Sequence, residues 1–321
     1  MLTFSSLAST VALFVALLIP GFIMGKCKRV QENAVSTIAN ILSDVAMPAL
    51  VLVKILQIDI NSLDPISIII CLTLPAVVII LLHFISRLVF RSRPQDRSYC
   101  SARFCTVFSN CGFLGIPLAA ALFPDNPEAT VYVSLVNLVS SFFLLTLGMN
   151  ILSEGGEHKR SNALSIIFRP ITFAVVVGFI LSAFEVGNIL SGLTSYFATL
   201  SSLTTPLSMI VLGYELSQMK LKDLFGDFRV YVVGAIKLVA SPMIAFVVLL
   251  LLKFVFRMEL SYTLAAAMLI TTAISTAASA PAMARSKGID GCLAASATLV
   301  NTLLCVITLP TLWTLFDVVL V

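Results

Sequence analysis

Charge is scarce in this sequence. Aspartate, glutamate, lysine and arginine make up 11% of the 321 residues, whereas an ordinary soluble domain has about 25%. Apolar residues account for 59%, and the mean hydropathy is +1.06. Stretches of about 20 apolar residues recur along the chain, which is enough to cross a hydrocarbon core about 30 Å thick. The composition therefore excludes a soluble globular protein and predicts an integral membrane protein.

Metal ligands and long hydrophilic segments are also missing. The two histidines, His83 and His158, are far apart, and the seven cysteines are scattered mainly through apolar segments. We therefore expect reduced, buried cysteines, no metal site and no cofactor. The longest hydrophilic segment, residues 153–169, is far shorter than the ~50 residues of a small soluble domain. This excludes an extramembrane enzyme or nucleic-acid-binding module.

The apolar N-terminus, residues 2–22, is predicted to be a membrane span. Lys26, Lys28 and Arg29 follow this stretch, whereas a signal peptide has its basic residues in front. Turn residues and charges then divide the chain into ten predicted transmembrane helices: 4–24, 34–57, 65–90, 102–123, 129–152, 166–184, 190–216, 229–252, 260–284 and 291–317.

The distribution of basic residues predicts the orientation. Most lysines and arginines fall in the loops that follow odd-numbered spans, whereas Lys54, Lys253 and Arg257 lie on the opposite side. Because cytoplasmic loops collect lysine and arginine, we predict that both termini are extracytoplasmic. The same distribution accounts for the net charge of +4 without nucleic-acid binding.

Three pairs of prolines indicate an internal repeat. Prolines of spans two, three and four recur in spans seven, eight and nine after 158, 167 and 164 residues: Pro48 and Pro206, Pro75 and Pro242, Pro117 and Pro281. Five spans per half place the second half upside down, and inverted repeats with broken helices are typical of secondary transporters. We predict an all-α fold of two inverted five-helix repeats, residues 1–152 and 153–321. The alternative is chance, since proline is common in membrane helices.

Two interrupted spans are candidates for a substrate site. Gly112, Gly115 and Pro117 weaken span four, since proline donates no hydrogen bond and obstructs the preceding turn. Span nine has a small, polar counterpart at a similar place: Ser275, Thr276, Ser279 and Pro281. Irregular backbone at membrane depth is tolerated only where it is buried in protein or lines a cavity, so the pair predicts a binding site.

The string from Asn110 to Leu118 resembles the Asn-x-Gly-Phe-x-Gly-x-Pro-Leu pattern of the auxin efflux carrier family. Members include plant auxin exporters and bacterial carriers assigned to malonate, malate and similar acids. Lesser matches extend the resemblance over nearly the whole chain: Met47 to Leu50, Thr205 to Met209 with Gly213, and Thr308 to Pro310. In span nine the chain departs from the Pro-Thr-Ala-x-Asn pattern frequent in bacterial relatives, which leaves the substrate open.

The resemblance implies a fold and a set of roles. Spans four and nine would be broken and would cross, with Pro117 and Pro281 at the crossing and Asn110 contacting the substrate. Spans one, two, six and seven would form a scaffold beside a transport core of spans three to five and eight to ten. The expected location is the plasma membrane, the inner membrane of a bacterium.

Ionisable and amide side chains within spans complete the candidate site. Lys237 lies roughly 12 Å into span eight and is predicted to bind a carboxylate; the alternatives are contact with the interface or pairing with an acid. Asp44, one turn before Pro48, is predicted to carry a coupling proton, or to form a structural hydrogen bond or pair with Lys237. Asn137 and Asn301 either line the same cavity or bridge packed helices.

These observations predict a secondary active transporter for a small organic anion, a mono- or dicarboxylate, working by alternating access. A solute-gated channel or a membrane solute sensor is the alternative. Coupling to protons or to sodium ions and assembly into a homodimer are open alternatives.

Overall fold

A computed structural model describes residues 4–28, 30, 32–58, 64–91, 96–154, 170–184, 191–218, 226–289 and 291–320. Within these ranges the chain is helical apart from turns, short irregular segments and isolated bridge residues. The predicted start of span six, residues 166–169, and residue 190 at the start of span seven lie outside the described residues. So do several basic loop residues, among them Arg29, Lys159 and Lys220.

The α-helices are numbered in chain order: α1 Phe4–Lys26, α2 Glu32–Ile41, α3 Met47–Leu56, α4 Pro65–Val89, α5 Ser98–Val107, α6 Ile116–Leu122, α7 Pro127–Phe143, α8 Met149–Ser153, α9 Pro170–Ala183, α10 Ser191–Ser201, α11 Thr204–Ser217, α12 Phe228–Ala235, α13 Ser241–Phe254, α14 Tyr262–Ala273, α15 Ala280–Ser286 and α16 Cys292–Leu320. The described residues also form four π-helical turns between these helices: Leu42–Ala46, Cys111–Gly115, Leu144–Gly148 and Ile236–Ala240.

Six helical stretches among the described residues are long and apolar enough to cross a membrane: Asn33–Leu56, Pro65–Val89, Pro127–Ser153, Thr194–Tyr214, Phe228–Phe254 and Cys292–Phe316. Shorter apolar helices accompany them: Ala12–Lys26, Cys111–Leu122, Pro170–Ala183 and Tyr262–Ala273. Large apolar side chains such as Phe84, Phe173 and Ile307 are exposed on the surface, as lipid-facing positions require. The protein is thus an all-helical, multi-pass membrane protein.

Prolines shape several of these helices. Three of the described π turns end two residues before a proline: Pro48, Pro117 or Pro242. A proline ring clashes with the carbonyl of the preceding turn, and the wider π turn relieves that clash. Span seven, predicted as one helix, is divided at Ser202 and Leu203, because Pro206 has no N–H to donate to the carbonyl of Ser202.

Helices α1 and α11 pack so closely that their backbones are in direct contact at two glycines. A Cβ placed on Gly21 would lie 2.0 Å from the carbonyl oxygen of Ile210, and one on Gly213 would lie 2.0 Å from that of Leu18. Contact this close requires glycine at both positions. Helix α3 packs in turn on α9, where the side chain of Ile55 covers Gly178.

Basic residues of different loops converge at one end of the bundle. Arg97 donates hydrogen bonds to the carbonyls of Leu152 (3.1 Å) and Lys287 (3.3 Å). Arg229 pairs with Asp96 at 2.8 Å and with Asp227 at 2.7 Å. The loops after spans three, five, seven and nine therefore meet on the same face, which we call the basic face.

Arg103, the second residue of the predicted fourth span, is a buried arginine. Its span begins earlier than predicted, at Ser98, so Arg103 lies within α5. The residue is only 1% exposed, and its guanidinium forms an ion pair with Glu154, which follows α8.

Candidate functional site

The interruptions of spans four and nine lie against each other in the core. Helix α5 ends at Val107, and α14 ends at Ala273. The backbone N–H of Asn110 donates to the carbonyl of Ser275 (2.9 Å), and that of Ala277 donates to the carbonyl of Phe108 (3.0 Å). Ser109 and Thr276 face each other between these bonds in an antiparallel bridge. Each break therefore satisfies some of the backbone groups that the other break releases.

The glycines and prolines of the two motifs follow the breaks. Pro117 and Pro281 lie in the first turns of α6 and α15, so each interruption begins before its proline and not at it. Gly112 and Gly115 lie in the π turn after the first break. A Cβ on Gly115 would come within 3.3 Å of the Ile274 side chain, and this glycine therefore allows the second break to approach.

Several polar side chains at the crossing are buried. Asn110 is 3% exposed, and its Nδ2 atom has no hydrogen-bond partner among the described residues. The hydroxyl of Ser275 is likewise buried without a partner. Thr276 instead donates to the hydroxyl of Thr298 on α16 (2.9 Å), while Ser279 is half-buried.

The two predicted amides lie on either side of the crossing. Asn137 on α7 is half-buried, and its Oδ1 atom would be 3.5 Å from a Cβ on Gly112. Asn301 on α16 is fully buried, and neither of its polar side-chain atoms has a hydrogen-bond partner in the described structure. Its Oδ1 atom packs against Gly234, where a Cβ would be only 2.7 Å away. Asn301 thus borders span eight one turn from Lys237.

Lys237 reaches the first break from span eight. It is 1% exposed, and its Nζ atom donates to the carbonyl of Val107, the last residue of α5 (3.3 Å). Among the described residues no carboxylate lies within ion-pair distance of this ammonium. The structure thus brings Lys237 and the Asn110 region together, as a shared site requires.

A narrow cavity adjoins Lys237. Its free space is about 20 Å³, enough for about one water molecule. Polar lining comes from Lys237 and five hydroxyl-bearing residues, Ser109, Ser140, Ser241, Thr271 and Thr272, and the rest is mainly aliphatic. Except for Lys237, these lining residues were not among the predicted site residues. Sequence reasoning could have identified Thr271 and Thr272, because they are polar residues in the last turn of α14, directly before the span-nine break.

Comparison with known proteins decides the class. A family model described as membrane transport protein matches residues 5–313. The chain belongs to this family, the auxin efflux carriers. It is therefore a transporter and not an enzyme, and the resemblance of the Asn110 to Leu118 string to this family is confirmed.

Two archaeal relatives agree with the assignment. This carrier is 25% identical to an uncharacterized transporter of Methanothermobacter thermautotrophicus over 316 residues, which cover 97% of this chain and 98% of the relative. It is also 25% identical to an uncharacterized transporter of Methanocaldococcus jannaschii over 224 residues, 67% of this chain and 70% of that relative.

Asp44 of this carrier does not lie where a buried proton carrier was expected. It is exposed in the π turn Leu42–Ala46 of the second span, and the pairing with Lys237 considered above is not formed. Position along a span indicates the depth of a residue, but not whether it faces the core or the outside. A role for Asp44 in coupling stays a prediction.

Proposed function

We propose that this carrier moves a small organic anion, a mono- or dicarboxylate, by alternating access. The observation that carries the proposal is Lys237, a buried ammonium that borders a partly polar cavity beside two crossing breaks and has no carboxylate partner among the described residues. A buried charge is costly unless it is paired. A carboxylate on the substrate would supply the missing partner.

The cavity volume supports a moving mechanism. At about 20 Å³ the cavity is too small for an organic acid, so the described conformation represents a closed state in this proposal. Substrate would enter when the helices around Lys237 separate toward one side of the membrane, and leave when they separate toward the other.

Helix pairing supports an inverted repeat with a separate scaffold. The first span packs on the seventh, and the second span packs on the sixth. Exchanging the two halves converts one of these pairings into the other, as inverted symmetry requires. Asn137 and Asn301 are 164 residues apart, the same separation as Pro117 and Pro281. In this arrangement the paired spans form the scaffold, and the two breaks belong to the transport core.

Transport by purified protein tests the proposal. In proteoliposomes we expect saturable uptake of a mono- or dicarboxylate that accelerates when the opposite side is loaded with the same acid. Ohmic current without saturation would instead indicate the channel alternative. Running the panel with and without a proton gradient, and with and without sodium, identifies the coupling ion.

A lysine substitution tests the role of the buried charge. Lys237→Gln should weaken binding of the transported acid roughly 5- to 150-fold, the equivalent of about 1–3 kcal/mol for a hydrogen bond to a charged group. Lys253→Gln is the matched control, since Lys253 lies in the last turn of the same span, beside Phe254. Equal affinity of Lys237→Gln and the wild type would contradict the proposal.

A further inference from the structure

Lys237 donates a hydrogen bond to a helix terminus. Val107 is the last residue of α5, and the last four carbonyls of an α-helix have no partner within the helix. Those carbonyls carry roughly half a negative charge. One of them, at Val107, accepts a hydrogen bond from the Lys237 ammonium, and the next carbonyl along the chain, at Phe108, accepts from Ala277.

The surroundings of the ammonium suit a small cation. Carbonyl oxygens at the end of a half-helix, together with unwound backbone, are the groups that hold Na⁺ in transporters with broken helices. Ser109, Ser241 and Thr271 line the same cavity, and each carries a hydroxyl oxygen, which is a hard ligand for such ions. A cation at this point would have the ligands it prefers even though no carboxylate of the described residues lines the cavity.

We propose that the Lys237 ammonium occupies a monovalent-cation site at the carbonyl end of α5, as a cation attached permanently to the chain. The carrier then needs no dissolved Na⁺ or K⁺ at this point. An ammonium has three N–H donors, so the one bonded to Val107 leaves two for other acceptors. The inference concerns the cation alone and holds whichever solute is transported.

Shortening the side chain tests this assignment without any organic solute. Lys237→Ala removes the ammonium but keeps the carbonyls of α5. We expect the melting temperature of this variant to rise saturably with NaCl, KCl or methylammonium chloride, because a ligand that binds only the folded state stabilises it. N-methylglucamine chloride, whose cation is too large for the site, keeps the ionic strength constant.

Three proteins serve as controls. The wild type, Lys253→Ala and Lys237→Met should show no such cation-dependent shift, since methionine fills the same space with an apolar chain. If none of the three cations raises the melting temperature of Lys237→Ala, the proposal is wrong. An equal cation-dependent rise in the melting temperatures of Lys237→Met and Lys237→Ala would overturn it too. The cation would then bind without needing the space that the lysine side chain occupied.

A measurement on the wild type covers the case in which Lys237→Ala does not fold. Solute exchange in proteoliposomes should be equally fast in N-methylglucamine, Na⁺ and K⁺ buffers. A strict requirement for Na⁺ or K⁺ would overturn the proposal. This test can be distinguished from the test of anion transport. If the melting temperature of Lys237→Ala depends on cations while its affinity for organic acids is unchanged, the cation site is supported and anion binding by Lys237 is contradicted.

Discussion

Two asparagines of this carrier differ in what their side-chain amides contact. The Nδ2 atom of Asn110 is buried without a partner, whereas that of Asn126 donates to the hydroxyl of Thr263 (3.0 Å). We expect Asn110→Ala to reduce transport at least about tenfold, the effect of about 1.4 kcal/mol, with little change in melting temperature.

Asn126→Ala should behave in the opposite way. It removes the hydrogen bond between the residue before α7 and α14 and should lower the free energy of unfolding by about 0.5–1.5 kcal/mol, while leaving KM unchanged. Uptake assays and thermal unfolding of both variants provide the comparison. Full transport by Asn110→Ala would make Asn110 a packing residue.

Asp96 on the basic face gives a prediction about pH. The pKa of its carboxyl is lowered from 3.8 to about 2, because Ser98 donates hydroxyl and backbone hydrogen bonds to it and Arg229 pairs with it. Folding thus favours the charged form, so the contribution is complete above the unfolded pKa of about 4 and is lost as the pH falls toward 2.

Asp96→Asn should accordingly lower the melting temperature near neutral pH. The difference from the wild type should shrink between about pH 4 and pH 2. Glu259→Gln, at an exposed carboxylate, should show no difference at either pH. An Asp96→Asn effect of constant size over this range would show that the charge of Asp96 is not responsible.

Residues that interrupt a helix can be recognised in the sequence. Residues whose role depends on which face of the helix they occupy are harder to recognise. Glycine, proline and small polar residues mark the neighbourhood of both breaks, and the structure brings Asn110, Ser275 and Thr276 together there. The exposed position of Asp44 was not predictable in the same way, because it depends on how the second span is rotated against its neighbours.

At the scale of helices, the contact between α1 and α11 depends on glycine. Gly21→Ala or Gly213→Ala would place a Cβ 2.0 Å from a backbone carbonyl, so the helices must separate. We expect each substitution to lower the free energy of unfolding by about 1–3 kcal/mol. Thermal unfolding in detergent measures this loss.

Gly192 in α10 is the matched control, since a Cβ there meets no atom within 4 Å. Gly192→Ala should be neutral or should stabilise the protein by up to about 1 kcal/mol, because alanine favours the helix. Equal losses at Gly21 and Gly192 would mean that helix contact is not what the glycines provide.

Helix boundaries were predicted well where hydropathy changes sharply and less well where the backbone changes type. The fifth span, predicted as 129–152, is observed as Pro127–Ser153. The π turns were not predicted, since their extra residue leaves the apolar pattern unaltered. The motifs that predicted the breaks include Pro117 and Pro281, but the hydrogen bonds between the breaks involve residues before these prolines: Phe108, Asn110, Ser275 and Ala277.

For the whole molecule, the natural cysteines report the orientation. Cys27 and Cys292 are exposed, whereas five are buried: Cys71, Cys100, Cys105, Cys111 and Cys305. Cys27 follows the first span and Cys292 follows the ninth, so both should be on the cytoplasmic side. A membrane-impermeant maleimide should label inverted vesicles and not intact cells, and Cys27→Ser with Cys292→Ser should abolish the labelling. Labelling of intact cells would reverse the predicted orientation.

The ribosome makes the two sides of the crossing at different times. Asn110 and Ser275, joined by a 2.9 Å backbone hydrogen bond, are 165 residues apart in the chain. At about 5–20 residues per second, the first break waits roughly 8–33 seconds for its partner. During this interval its exposed backbone groups lack the acceptor and donor that span nine provides, which is costly in lipid. A nascent chain that stops before span nine therefore leaves these backbone groups of the first break without their partners.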